Sequence, residues 1–410
     1  MADKRTRLPS FYTYFTLFAM AAGSYLAFIN VYLDDIGMSK FEIGLLSAIS
    51  PLAAMLLQPL FGMAADRARA KNTVAIVLMC LLAVTSGLFM ALRGRIATAT
   101  LMAIWTSVHS GLLSVSNAIA LEHLGELGMS ERYGRIRLCY SLGYAASGGL
   151  LGRLIAQDMA WIFPVSGMLC LLSLLPLVLL PRIGGKQSEG EKIPWTRIFR
   201  YRRLMALFAF AFALTVSNSY TYTYMPVYFL RLGGTQELYG YLVFFMAAVE
   251  TPFLLLSGRL IRRWGAERLM LVPAASLLAR WIIVTLAESP ILVFASNLLH
   301  GGGFIVMHLT LARYVADTVE PGLHATGQAM VSVALFSMSR AVGGLVGGWL
   351  AERLCANLGE IEGLHRLFAL NAGFVAAVGI TLAFTLCFWQ RREHIGGGSA
   401  GKPGRPIQEA

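Results

Sequence analysis

The sequence predicts an all-α membrane protein of twelve transmembrane helices, arranged as two six-helix pseudo-repeats. Three observations carry this. The 410 residues are 57% hydrophobic and only 14% charged, with a mean hydropathy of +0.64, which is more apolar surface than one soluble core hides. A hydrocarbon core about 30 Å thick takes roughly 20 apolar residues per helix, and short polar breaks divide the chain into twelve such runs. A segment near Val31 also recurs, 196 positions later, near Val227. This balance excludes a soluble enzyme, a nucleic-acid binder and a single-span receptor.

In chain order the apolar runs fall at 11–33, 41–65, 72–92, 97–122, 135–157, 160–181, 204–230, 237–261, 269–287, 291–312, 325–351 and 366–390. The first follows Lys4, Arg5 and Arg7 like a signal peptide, but it is long and has no clear small-residue cleavage site, so it reads as an uncleaved first helix. The longest polar interruption, RIGGKQSEGEKIPWTRIFRYRR at 182–203, reads as a cytoplasmic linker. It separates an N-terminal six-helix bundle, 1–181, from a C-terminal one, 204–392. The Gly/Pro-rich segment 393–410 is expected to be a disordered cytoplasmic tail.

Charge placement sets the orientation. With the N-terminus in the cytoplasm, 24 of the 34 Lys and Arg residues fall in inside loops and only six, Lys40, Arg93, Arg95, Arg231, Arg353 and Arg366, fall outside. Both termini are therefore expected in the cytoplasm and the chain in an inner (plasma) membrane. The excess of 34 basic over 22 acidic residues needs no nucleic acid to explain it. The remaining four arginines, Arg137, Arg153, Arg280 and Arg340, lie within spans.

The repeat is visible in VYLDDIGMSKFEIG and VYFLRLGGTQELYG, which pair Val31 with Val227, Tyr32 with Tyr228, Gly37 with Gly233 and Gly44 with Gly240. The register holds through the next helix, bringing Gly62 onto Gly258. Two related halves in parallel orientation are a transporter arrangement.

An ionisable side chain at the bilayer centre costs about 3 kcal/mol on insertion scales, so each one is a functional candidate. Three consecutive C-terminal spans contribute Glu250, Arg280 and His300. Burial raises a carboxyl pKa and a neighbouring guanidinium lowers it, so Glu250 suits proton loading governed by the distance to Arg280. His300 suits titration or relay. A static pair that fixes helix packing is the alternative. In the N-terminal half Glu122 ends the fourth span and Arg137 opens the fifth; Arg137 either binds a substrate carboxylate or hydroxyl, or pairs with Glu122. Arg340 needs a partner or a wet cavity, and Arg153 is expected to snorkel. Asn218, Tyr220, Tyr222 and Tyr224 give the seventh span a hydrogen-bonding surface, part of which lines a cavity. Asn30, His109 and Asn117 are packing glue or ligands. Gly301, Gly302 and Gly303 allow a close approach or a bend.

The five cysteines show no CxxC pattern, and there is no His pair at metal spacing; no metal site and no disulfide framework are expected. No nucleophile–base pair or phosphate loop stands in or near the spans, which argues against an enzyme. No cofactor is implied beyond a proton gradient, the expected partners are a small-molecule substrate, protons and the lipid bilayer, and a monomer is expected.

Gly62-Met63-Ala64-Ala65-Asp66-Arg67 resembles the loop motif of the major facilitator superfamily. That resemblance implies a conformational latch made by Gly62, Asp66 and Arg67, although the later Gly-Arg-Lys part of the motif is Ala68-Arg69-Ala70-Lys71 here. YGRIRLCYSLGY, from Tyr133 to Tyr144, is similar to the segment after the fourth helix in the lactose permease and phenylpropionate permease branches, and implies substrate binding by Arg137 and Tyr144. GYLVFFMAAVE (240–250), the ARW around Arg280 and LLHGGGFIVMHLTLARY (298–314) resemble the phenylpropionate permease group. Arg280 and His300 match the spacing of the coupling Arg and His in lactose permease. That pattern has a carboxylate where Gly303 stands, so lactose is not the expected substrate and Glu250 becomes the proton carrier by analogy. The implied activity is proton-coupled symport by alternating access, with coupling at Glu250, Arg280 and His300 and substrate binding at Arg137, Tyr144, Asn117, Asn218, Tyr222 and Arg340. A carboxylate-bearing aromatic solute is expected first, a sugar or nucleoside second. The missing Gly-Pro pair in the fifth span favours import over export, and a membrane ligand sensor is the non-transport alternative.

Overall fold

A computed structural model describes residues 8–92, 94–129, 132–155, 157–184, 195–320, 327, 330–331 and 333–396. Among these the regular structure is helical throughout. Nine segments are long and apolar enough to cross a membrane: Leu8–Asp35, Lys40–Arg67, Lys71–Ala91, Arg95–Glu126, Met159–Val178, Arg202–Thr223, Ala266–Thr285, Pro290–Val315 and Glu360–Arg391. Three more helices, Tyr133–Ile155, Gln236–Trp264 and Ser339–Leu358, stand where the fifth, eighth and eleventh spans were expected. These three are the least apolar because they carry Arg137, Glu250 and Arg340 and face other helices as well as lipid. The fifth packs on the eighth and the second on the eleventh, joining the two halves. The expected tail beyond Gly396, most of the linker, and the side chain of Arg153 lie outside the described residues.

The repeat seen in the sequence is a repeat of local geometry. Ser39 caps the second span by accepting a bond from Glu42 N, while the Glu42 carboxylate accepts from Ser39 N, and Thr235, 196 positions on, caps the eighth by accepting from Leu238 N. Each cap follows a turn that needs a left-handed residue, Gly37 at φ +77° and Gly233 at φ +89°. The first and seventh spans are broken at equivalent places: short helices Ile29–Asp35 and Met225–Arg231 follow the breaks. The seventh span, expected as one helix over 204–230, is thus three pieces, Arg202–Asn218, Tyr220–Thr223 and Met225–Arg231.

One end of the bundle is sealed. A Cβ on Gly44 would meet Gly344 O at 2.3 Å, and one on Gly148 would meet Gly240 O at 2.5 Å. These two backbone contacts are the same contact made twice, since 44 and 240, and 148 and 344, are each 196 positions apart. Above them an ion network crosses between the halves: Asp34 to Arg231 at 3.0 Å, Arg231 to Glu360 at 3.1 Å, and Lys40 bonded to both Asp34 and Glu360. Phe41 N also donates to Glu352 Oε2 at 3.2 Å.

At the other end, which holds the linker, Asn72 clasps the chain leaving the sixth span. It donates to Pro181 O and accepts from Ile183 N, both at 3.1 Å. Lys71 bonds Asp66 at 3.1 Å and also Glu122. Glu122 therefore pairs with Lys71 and not with Arg137, as a flexible lysine at a helix start reaches both carboxylates. The residues of the loop motif act within one half here: Asp66 is held by Lys71, and a Cβ on Gly62 would meet nothing within 4 Å.

Candidate functional site

Between the halves lies a cavity of about 290 Å³, and its wall draws on both. The N-terminal half supplies Asn30, Ser47, Arg137, Tyr140 and Tyr144; the C-terminal half supplies Thr221, Tyr222, Tyr239, Glu250, His300, Phe304 and Arg340. The break in the seventh span makes part of this wall. Ordinary helix would hold Tyr222 O in its own ladder, whereas here it accepts from Asn30 Nδ2 at 2.8 Å, and Asn30 Oδ1 accepts from Ser47 at 3.2 Å. The eleventh span enters the wall through a wide turn of π type, Val333–Met338, immediately before Ser339 and Arg340.

Glu250, Arg280 and His300 come together as expected, but as a layered chain. Glu250 is at the cavity surface, its side chain 25% exposed, with Oε1 3.3 Å from His300 Nε2. Behind it, His300 Nδ1 lies 3.1 Å from Arg280 Nη1. Arg280 does not reach the cavity. It is fully buried and donates to Thr221 Oγ1 at 2.9 Å, to Asn297 Oδ1 at 2.6 Å and to Met225 Sδ at 3.5 Å. Since a guanidinium only donates, His300 Nδ1 must accept, which places the ring proton on Nε2, facing Glu250. The Tyr222 hydroxyl lies 3.4 Å from the same Nε2. A Cβ on Gly301 would meet Val249 O at 2.7 Å, so this glycine lets the tenth span press against the backbone next to Glu250.

Two further guanidinia face the cavity from opposite halves. Arg137 lies over the Tyr140 ring at 5.1 Å and Arg340 over the Tyr222 ring at 4.9 Å. Neither has a carboxylate within ion-pair distance among the described residues. Tyr140 is in turn bonded to His109 Nε2 at 3.1 Å, and His109 stacks on Trp105. His109 is therefore a packing and orienting residue.

Two residues expected in the site stand elsewhere. Asn117 is not in the cavity wall, and its Oδ1 is buried without a hydrogen-bond partner among the described residues. Asn218 is buried behind the wall, its Oδ1 3.3 Å from Thr221 Oγ1. Both are polar residues in apolar helices, and such residues serve packing as readily as binding. Sequence reasoning missed Tyr239, Tyr140 and Ser47, which are ordinary in composition, and Asn297, whose position three residues before His300 places it on the same helical face.

A twelve-span bundle of two repeated halves closed over a central cavity defines a major facilitator secondary transporter of small solutes. The chain belongs to the MFS_1 like family, whose model matches residues 8–357. It is 30% identical to the maltose permease of Geobacillus stearothermophilus, over 86% of this chain and 89% of that protein. It is 26% identical to a protein of Escherichia coli (strain K12) named as a probable 3-phenylpropionic acid transporter, over 74% of this chain and 80% of that one. The crystal structure of the nucleoside transporter NupG superposes with a TM-score of 0.80 at 18% identity, covering 93% of this chain and 98% of NupG. The protein is a multi-pass membrane protein.

Proposed function

We propose that this transporter is a proton-coupled symporter that imports a small carboxylate-bearing solute across the inner (plasma) membrane, with both termini in the cytoplasm. The observation that carries the reading is Glu250: a carboxylate at the cavity wall, bonded to a histidine whose other nitrogen is engaged by a buried arginine. With the linker end cytoplasmic, as the positive-inside distribution requires, the sealed end faces outward and the structure is an inward-facing form. The units that rock are the bundles 1–181 and 204–392, and the transporter works as a monomer.

Coupling requires that the proton on Glu250 and the bound solute favour the same conformational step. The protonated carboxyl is neutral, which lowers the cost of closing the cavity around it. Arg137 and Arg340, one from each half, bind the solute carboxylate and thereby draw the halves together. Tyr144 and Tyr222 supply flat apolar faces for the rest of the solute. A second reading, a sugar, is favoured by the many hydroxyl groups of the wall and by the identity to a maltose permease.

The test is reconstitution in proteoliposomes containing a pH dye, with no imposed proton gradient, and addition of aromatic acids, sugars and nucleosides in turn. Symport acidifies the lumen with one class. Glu250→Gln abolishes that acidification while solute exchange persists. Uphill uptake retained in full by Glu250→Gln overturns the proton role, and acidification by a neutral sugar alone overturns the carboxylate.

A further inference from the structure

A second groove lies far from the central cavity, at the linker end of the C-terminal half. It has a volume of about 400 Å³ and is walled by Arg263, Trp264, Arg268, Leu271, Val272 and Ala275. The eighth span stops at Trp264, Gly265 turns the chain at φ +75°, and the ninth begins, so that Arg263 and Arg268 stand on either side of a single turn. Neither guanidinium has a carboxylate within ion-pair distance among the described residues. With the Gln390 amide turned so that its oxygen faces the guanidinium, Arg268 is steadied by the last span, donating to that oxygen from Nε at 2.9 Å and Nη2 at 3.2 Å. Trp264 is 47% exposed beside them.

The groove is polar at one end only. Leu271, Val272 and Ala275 belong to a span, Ala266–Thr285, that is apolar enough to cross the bilayer, and Ala275 is exposed on it. The basic end therefore lies at headgroup depth and the apolar wall continues toward the hydrocarbon. Tryptophan favours this same boundary, and paired guanidinia at the membrane interface attract anionic headgroups. A free anion would use the guanidinia and leave the apolar wall empty, whereas a phospholipid fills both.

We infer that this groove is a binding site for an anionic phospholipid of the leaflet at the linker end, with the phosphate between Arg263 and Arg268 and one acyl chain along Leu271, Val272 and Ala275. The inference is independent of what the central cavity transports.

The protein is purified into mild detergent and examined by native mass spectrometry with phosphatidylglycerol, phosphatidylcholine or inorganic phosphate added. Wild type is expected to retain phosphatidylglycerol at least tenfold over phosphatidylcholine. Arg263→Gln with Arg268→Gln removes that preference, while Arg262→Gln, an exposed neighbour outside the groove, keeps it. Because these side chains are at the surface, a thermal melt of each variant is expected to match wild type in phosphatidylcholine. Equal retention of the two lipids by wild type overturns the site, as does a preference that survives the double substitution or is lost equally in Arg262→Gln. Displacement of phosphatidylglycerol by millimolar inorganic phosphate shows a free-anion site and overturns the lipid assignment.

Discussion

Arg280 donates to Nδ1 of His300 across 3.1 Å, and this one bond decides which face of the imidazole carries its proton. With Nδ1 occupied as an acceptor, a second proton on the ring would confront a guanidinium N–H. In this conformation His300 works as a fixed bridge that passes the position of Arg280 on to Glu250, which fits the role proposed above for that carboxyl as the proton carrier.

A fixed bridge can be replaced by an amide. Gln accepts through its oxygen and donates through its nitrogen, so His300→Gln is expected to keep proton-coupled uptake within about tenfold, with an unshifted pH profile. His300→Ala leaves Arg280 and Glu250 without a link and is expected to lower uptake by about a hundredfold or more. Initial rates between pH 5.5 and 8 decide the matter; a pH profile that shifts in His300→Gln makes the ring a proton carrier.

Arg280→Met leaves His300 Nδ1 and Asn297 Oδ1 without their donor in a buried site and removes one of the two bonds of Thr221 Oγ1. Each unsatisfied group costs about 1–3 kcal/mol, so a thermal melt in detergent should fall by many degrees. Double substitution of Arg280→Met with Asn297→Leu should recover part of the loss, because both partners of one bond are then apolar.

The cross-half ion network is half exposed at Arg231, so screening limits each pair to about 1 kcal/mol or less. Arg231→Gln is therefore expected to move the population of the sealed form by about twofold to fivefold. Distances between spin labels across the sealed end report the shift, and raised salt should mimic it in wild type. No change in the distances in either condition removes the network from the gate.

Cys355 offers a native reporter of the same gate. It lies in the last turn of the eleventh-span helix, half-buried, with Sγ 3.7 Å from the backbone oxygen of Glu360, the residue that pairs with Lys40 and Arg231. Packing at the sealed end shields the sulfur from reagent, and opening should speed maleimide labelling by at least tenfold. The measurement uses Cys80→Ser with Cys387→Ser, since those two cysteines are exposed. Gly44→Leu with Gly148→Leu, which prevents the backbone contacts from forming, should label fast without any substrate.

The spans, their repeat and the charged trio were legible because each is a departure from an apolar background at known spacing. Gly44 and Gly240 could be paired as repeat partners from the residues alone, yet Gly344 and Gly148, which they meet in space, lie in other helices and nothing in the chain marks those meetings. The layering of Glu250, His300 and Arg280 was likewise hidden. Placing three charges in three spans says that they are costly, and only packing says which of them is wet. Glu122 forms a salt bridge as a candidate for one should, but with Lys71 and not with Arg137, the alternative partner, because a lysine at a helix start looks solvated in the sequence. In the seventh span Pro226 marks the start of the last piece, but TYTYMP continues the apolar and aromatic run without a glycine and hides the break.

The two glycine contacts are one contact made twice, between helices related by the repeat. A door fastened at one point can gape at its other edge, and a gap of that kind in a transporter is a channel through which solute and protons run downhill together. Fastening at two equivalent points removes the half-open state. The seal then parts as a whole or holds as a whole, and solute crosses only on complete cycles.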